Sequence, residues 1–219
     1  LAAADRMGER PELVWLSATP GAEEDVLAGI EDVIGTDVPI IGGSAADNSI
    51  SAEWYVFDRQ NRSGDGVVVS VLFPSAPVSF AYQNGYSPTG HSGTVTQSSG
   101  RRVFEIDGRS ALDRYRAWTN GAIPQPDISE PETAILAEST LWPLGREVGQ
   151  LGSVPFYLLA HPAVARADGS IDLFATVATG EKLTLMTGTK DGLIARAGRV
   201  ASLARSSGQL AASPISGAL

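Results

Sequence analysis

Residues 42–48 read Gly42-Gly43-Ser44-Ala45-Ala46-Asp47-Asn48, small residues that leave an apolar run and end in two side chains able to hydrogen-bond a ligand. Glycines let backbone N–H groups come close to a ligand, and successive N–H groups form a concavity that suits an anion. A carboxylate or an amino acid fits such a loop. The same residues also suit a plain strand-to-strand turn in which Asp47 or Asn48 makes an Asx turn. The sequence argues against a phosphate loop, which needs a Lys-Ser/Thr pair and a following helix. Gly-Gly-Ser-Ala-Ala lies one substitution from the nucleophile elbow Gly-x-Ser-x-Gly, which marks Ser44 as a serine nucleophile. Its base would be His91 or His161, with Asp107 as orienting acid in the chain order Ser, Asp, His. An elbow requires a strand-to-helix turn, whereas residues 50–57 read as extended.

Other polar residues with chemical potential are scattered. Asp107 ends a strand before Gly108 and is either a turn residue or a carboxylate for a ligand ammonium. Trp54, Tyr55, Phe57, Tyr82, Tyr86, Tyr115 and Trp118 either line a pocket or fill the core, and Tyr86 is taken with the glycine loop as a ligand-binding residue. His91 lies in a glycine-rich loop and His161 at a strand end before Pro162. Two histidines, no cysteine and no His-Glu-x-x-His sequence leave no zinc site, so no metal ligand set is expected.

The elements that position these residues follow from periodicity. Residues 13–17 form a short buried strand, and Thr19-Pro20-Gly21 followed by Glu23-Glu24-Asp25 starts a helix. Val26, Ile30, Val33 and Ile34 share one face of that helix, and Gly35 stands at its C-terminal cap. A second apolar run at 38–41 completes strand, helix, strand, the signature of a parallel pair. Strands are predicted at 53–57, 66–73, 78–83, 94–98 and 102–106, with 66–73 apolar enough to be central and covered on both faces. Ser110-x-x-Asp113 starts a helix carrying Ala111, Tyr115, Trp118 and Ala122 on one side. The proline- and acid-rich region after Gly121 has no period and reads as a connector. Beyond it come strands at 156–160, 171–178 and 182–187, a turn at 167–170, and a helix over 191–205 with Leu193, Ala197, Val200, Ala201 and Ala204 as its stripe.

Composition bounds the function. The chain has 219 residues, with 16 Lys plus Arg against 25 Asp plus Glu for a net charge of −9, and no cysteine. The acid excess argues against an extended nucleic-acid surface. No window approaches the roughly 18 apolar residues of a membrane span. The absence of cysteine fits a reducing, cytoplasmic setting.

Several motifs, taken in order, resemble the FIST sensory proteins. They are IIGGSAADN at 40–48, GVVVSVLFP at 66–74, NGYSPTG at 84–90, TVTQSSGRRVFEIDGRSALDRY at 94–115, and YLLAHPAV with ADGSIDLFATVATGEKLTLM within 157–186. The resemblance implies an N-terminal FIST region at 1–121, a connector at 122–154 and a smaller, truncated β-plus-helix FIST C region at 155–219, in a chain that is a fragment of a longer protein. It implies an α/β fold of mixed sheets: a βαβ start, antiparallel strands and flanking helices. It also implies a non-enzymatic bacterial signalling module that senses small ligands, with amino acids proposed, and whose partner is an effector protein or a fused output domain. One branch of the family is tied to haem-dependent gas sensing, which would make His91 or His161 an axial ligand; otherwise no cofactor is expected. The expected site is therefore Gly42, Gly43, Ser44, Asp47, Asn48, Tyr86 and Asp107. A serine hydrolase at Ser44 and a protein-interaction scaffold without a small ligand are the other classes left open.

Overall fold

The structure is a computed structural model that describes residues 10–47, 53–127, 129, 131–151, 154–206, 215 and 217. Its fold is mixed α/β, with mostly antiparallel strands and, among the described residues, four helices. The chain forms two compact units, which divide between Ser79 and Phe80.

The first unit is built on β1 (Leu13–Ala18), α1 (Glu23–Ile34), β2 (Ile40–Ser44) and β5 (Val67–Leu72), with a two-stranded ribbon of β3 (Val56–Phe57) and β4 (Arg62–Ser63). β1 is central. It pairs in parallel with β2, from Val14 opposite Ile40 to Ala18 opposite Ser44, and antiparallel with β5. The predicted βαβ start is present. Its core is small: Leu13, Val14, Leu16 and Ala18 of β1, with Val38 and Val56. Thr19 fastens the end of β1 to Gly66, its amide donating to the Gly66 carbonyl at 2.9 Å and its Oγ1 accepting from the Gly66 amide at 3.0 Å. Three acids in the first turn of α1 complement the helix dipole, and Gly35 caps its end with an N–H to the Glu31 carbonyl at 2.8 Å. Arg10 donates to the Ile34 carbonyl at 3.0 Å, satisfying a further helix-end acceptor.

β5 corrects one expectation. It is an edge strand, paired among the described strands only with β1, and Val67 and Val69 are exposed. An unbroken apolar run does not distinguish a strand covered on two faces from one that lies at an edge.

The second unit, Phe80–Ser206, holds a sheet of nine strands. They are β6 (Ser87–Ser99), β7 (Arg102–Ile106), β8 (Arg109–Ser110), β9 (Glu132–Ala134), β10 (Leu144–Leu151), β11 (Val154–Ala160), β12 (Pro162–Arg166), β13 (Ile171–Leu173) and β14 (Lys182–Thr187). The order is β11-β10-β14-β6-β7-β13-β12-β9, with β8 beside β7. Its helices are α2 (Ala111–Trp118), α3 (Leu136–Ser139) and α4 (Lys190–Ser206). The first part of β6 pairs with β14 and the last part with β7, so one strand serves both halves of the sheet. The predicted strand over 94–98 is its second half.

Ala111, Leu112, Tyr115 and Trp118 bury one face of α2 against Val95, Val103, Ile106, Ile123, Ile135, Leu144, Ile171 and Leu183. Ser110 caps the helix, accepting from the Asp113 amide at 3.2 Å, and donates to the Gly169 carbonyl at 2.9 Å, which ties α2 to the turn before β13. On the sheet, Arg166 grips Asp172 Oδ2 through Nε at 2.8 Å and Nη2 at 2.6 Å, and Arg102 Nε reaches Oδ1 at 2.7 Å. Burial works to raise the Asp172 pKa, but the two guanidiniums outweigh it and hold the carboxyl below its ordinary range.

Other departures from the sequence reading have local causes. The stretch read as a connector carries β9, α3 and all of β10 and buries Ile123, Ile135 and Leu144. β9 is only three residues long, and a bulge between Glu147 and Gly149 breaks the alternation of β10. No strand forms over residues 78–83, and Phe80 and Tyr82 are exposed. The strands predicted over 53–57 and 171–178 shorten to β3 and β13. Ala122 lies beyond the end of α2. The stripe of α4 is not buried; none of that helix's residues is.

Tyr115 is fully buried, and its hydroxyl donates to the Trp142 carbonyl at 2.7 Å. Tyr115→Phe keeps the ring and strands that carbonyl, so it lowers stability by about 1–2 kcal/mol, as read by urea denaturation.

Candidate functional site

The carboxyl ends of two parallel strands beside the start of the connecting helix are the usual ligand-binding position of a βαβ unit. Here that position is formed by the ends of β1 and β2 and the first residue of α1. Gly42, Gly43 and Ser44 are not in a loop: they are the last three residues of β2, paired with Leu16, Ser17 and Ala18. The backbone demands Gly42, whose φ is +151° and where a Cβ would stand 1.7 Å from the Leu16 carbonyl oxygen. Gly43 faces open space. The expected turn therefore gives way to a strand, since glycine also serves where two strands approach this closely.

Ser44 is exposed at the end of β2, and its Oγ donates to Glu23 Oε1 at 2.8 Å. Glu23 Oε2 accepts from the Gly21 amide at 3.0 Å. The carboxylate of Glu23 thus takes the place at the helix start that an anionic ligand would occupy, and the Ala45 amide is spent on the Ala18 carbonyl at 2.7 Å. In place of the anion-binding loop expected from the glycines, the Ser44 hydroxyl is held by the Glu23 carboxylate, at a helix start whose first turn also carries Glu24 and Asp25. Asp47 Oδ2 accepts from the Glu53 amide at 3.0 Å. Asn48 lies outside the described residues. Ser44 stands on a strand end, not on a strand-to-helix turn, and its proton is already directed at a carboxylate. Glu23 is the site residue that sequence reasoning missed; its signal was an acid at the first helical position of a βαβ unit.

Tyr86, Asp107, His91 and His161 belong to the second unit. Asp107 has φ +52° and serves as a turn residue: its Oδ1 accepts from the Thr94 amide at 2.8 Å, and its Oδ2 pairs with Arg114 at 2.7 Å. Gly93 makes room for this carboxylate, since a Cβ there would lie 2.6 Å from Asp107 Oδ2.

Tyr86 and His161, unrelated in the sequence reading except as separate candidates, are neighbours. Their rings meet edge to face at 5.8 Å between centroids, and the Tyr86 hydroxyl donates to the Thr140 carbonyl at 2.8 Å. Burial lowers the His161 pKa from its ordinary value, against the opposing pull of the Thr140 backbone. Burial likewise raises the Tyr86 pKa, against the nearby charge of Arg196. Arg196 also donates to the Asn84 carbonyl at 3.2 Å, which fastens α4 to residues 84–86. The His161 ring is engaged by Tyr86, and His91 is exposed on β6. Of the remaining aromatics, Tyr115 and Trp118 are core, whereas Tyr55, Phe57 and Tyr82 are exposed, with Arg62 stacked 3.4 Å above the Tyr55 ring.

Residues 2–109 match the FIST N domain, and residues 111–219 match the FIST C domain. The chain belongs to the FIST family. The border between its FIST N and FIST C regions falls at Ser110, inside the second unit, so that unit joins the end of one region to the other. FIST domains are associated with sensory roles in signal transduction. The chain is also similar to an uncharacterized protein of Methanocaldococcus jannaschii, 32% identical over 96 residues, which are 43% of this chain and 18% of that protein. This FIST chain therefore spans a small part of the relative it matches. No solved structure matches it. Among the described residues, no helix is long and apolar enough to cross a membrane, and no cluster of three or more His, Asp or Glu is placed to hold a metal.

Two measurements check this geometry. Gly42→Ala must force the β1–β2 pairing apart and costs about 3 kcal/mol or more, whereas Gly43→Ala stays within about 0.5 kcal/mol, both read by denaturant midpoints. The folded chain takes up a proton at His161 less readily than the unfolded one. Stability from this group is therefore complete above the ordinary histidine range and declines as pH falls through about 6.5. His161→Gln flattens that decline between about pH 7.5 and about pH 5.5.

Proposed function

We propose that this chain is a small-ligand sensory region of a prokaryotic signal-transduction protein, and that its ligand is an amino acid or a related small carboxylate held at the ends of β1 and β2. The observation that carries the reading is the exposed Ser44 hydroxyl, held by Glu23 Oε1 at the start of α1. A hydroxyl held by a carboxylate offers an ammonium group a charged partner that a bare anion would be repelled by, so amino acids are favoured over simple carboxylates. Asp47, three residues beyond Ser44 and half-buried, adds a further carboxylate on the segment leaving β2. Signalling requires only that the ligand bind one conformational state more tightly than another, and an effector protein or fused output domain reads the shift.

A thermal-shift titration with free amino acids, and with simple carboxylates in parallel, tests this. At 100 times its dissociation constant a ligand adds about 2.7 kcal/mol, or about 5–10 °C in Tm. The shift is expected from an amino acid, is lost in Ser44→Ala, and is weakened in Glu23→Gln. No shift from any of these compounds, or a shift that Ser44→Ala leaves unchanged, overturns the reading.

A further inference from the structure

β10 and β14 stay paired only from Leu144 opposite Leu185 to Arg146 opposite Leu183. β14 begins at Lys182, and just beyond Arg146 a bulge between Glu147 and Gly149 interrupts the ladder of β10 with β11, where Val148 is 57% exposed. A cleft of about 330 Å³ beside this bulge is lined by Arg146, Glu147, Val148, Gly149, Glu181 and Lys182. Bulges of this kind re-aim side chains and recur beside binding sites.

The charges in the cleft are incompletely matched. Arg146 Nη1 reaches the two Glu181 oxygens only at 3.5 and 3.4 Å. In the same sheet, Arg166 Nε and Nη2 both reach one Asp172 oxygen, at 2.8 and 2.6 Å, the short distances of a charge-assisted bond. Arg146 Nε is buried and has no acceptor, a costly state for a donor. Arg114 Nε shares that condition, but its guanidinium closes a 2.7 Å ion pair with Asp107 and does not line this cleft. Lys182 is exposed beside Arg146, and Glu147 accepts from Gln150 at 2.9 Å.

A simple anion on Arg146 would displace Glu181 and leave its carboxylate unpaired. A simple cation on Glu181 would leave the guanidinium unpaired. A molecule with both charges a few bonds apart exchanges one loose pair for two good ones. We propose that this cleft binds a small zwitterion, its carboxylate in the fork of Arg146 beside Lys182 and its ammonium on Glu181. The site uses none of the residues assigned to the Ser44 site and does not rest on that reading.

The test follows the Arg146 Nε–H resonance by ¹H–¹⁵N NMR in the full chain, with L-alanine as probe and with propionate and ethylamine as its single-charge halves. L-Alanine is expected to move this signal saturably, and neither half to do so at the same concentrations. Arg146→Lys, which keeps the charge and removes the fork, and Glu181→Gln are each expected to weaken alanine binding about tenfold or more. The wild-type signal carries the test even where a variant fails to fold. The proposal is overturned if L-alanine leaves the resonance unmoved, if propionate binds equally well, or if both folded variants bind as wild type does. Alanine binding that is lost in Ser44→Ala and kept in Arg146→Lys would overturn this proposal and leave the Ser44 reading standing.

Discussion

Thirteen consecutive residues of extended chain, Ser87–Ser99, hold the larger unit together. At about 3.3 Å per residue such a strand is long enough to pair with two different partners along its length. β6 does so: its first part donates and accepts along β14 and its second part along β7, with register shifts in both ladders. Every other strand of the sheet is attached through one of these partners. Val95, at the changeover, is fully buried. α2 then has a surface to cover, and Tyr115 and Leu112 fill it.

In the smaller unit the equivalent constraint is close backbone approach. The Leu16 carbonyl leaves no room for a side chain on residue 42, so the chain has glycine there, and the parallel ladder runs on to Ser44. That places a hydroxyl beside the start of α1, where Glu23 already holds the Gly21 amide. The electrostatic character of the site comes from this contact. A helix start that would otherwise attract anions has been neutralised by the helix's own first residue, and the chemistry left on offer is that of a hydroxyl held by a carboxylate. Polar contacts in the larger unit divide differently. Arg166, Arg102 and Asp172 hold one another at short distances across three strands, whereas Arg146 and Glu181, next to the bulge in β10, meet only at 3.4 and 3.5 Å.

Local patterns were enough for much of this. The strand at 13–17, the helix over 23–34 with its glycine cap, the Ser110 cap and the strand at 182–187 follow from hydrophobic period and end signals, which depend on near neighbours in the chain. The order of motifs was enough for the family. The neighbours in the sheet were not legible, because an apolar run such as 67–72 looks the same at an edge as at a centre, and a bulged strand such as β10 loses its alternation.

Of the candidate site, residue types were readable and partnerships were not. A glycine pair says that the backbone needs space, but only the register of β1 against β2 shows that the space is taken by the Leu16 carbonyl rather than by a ligand. Likewise, that Ser44 meets Glu23, that Asp107 is spent on Arg114, and that Tyr86 lies against His161 are facts about residues 21, 7 and 75 positions apart. The sequence by itself determined the local elements, the acid excess and the family, since each is written in neighbouring residues or in motif order. Tertiary structure alone decided which groups face one another, because hydrogen bonds and ion pairs act over a few ångströms and long-range pairing sets those distances.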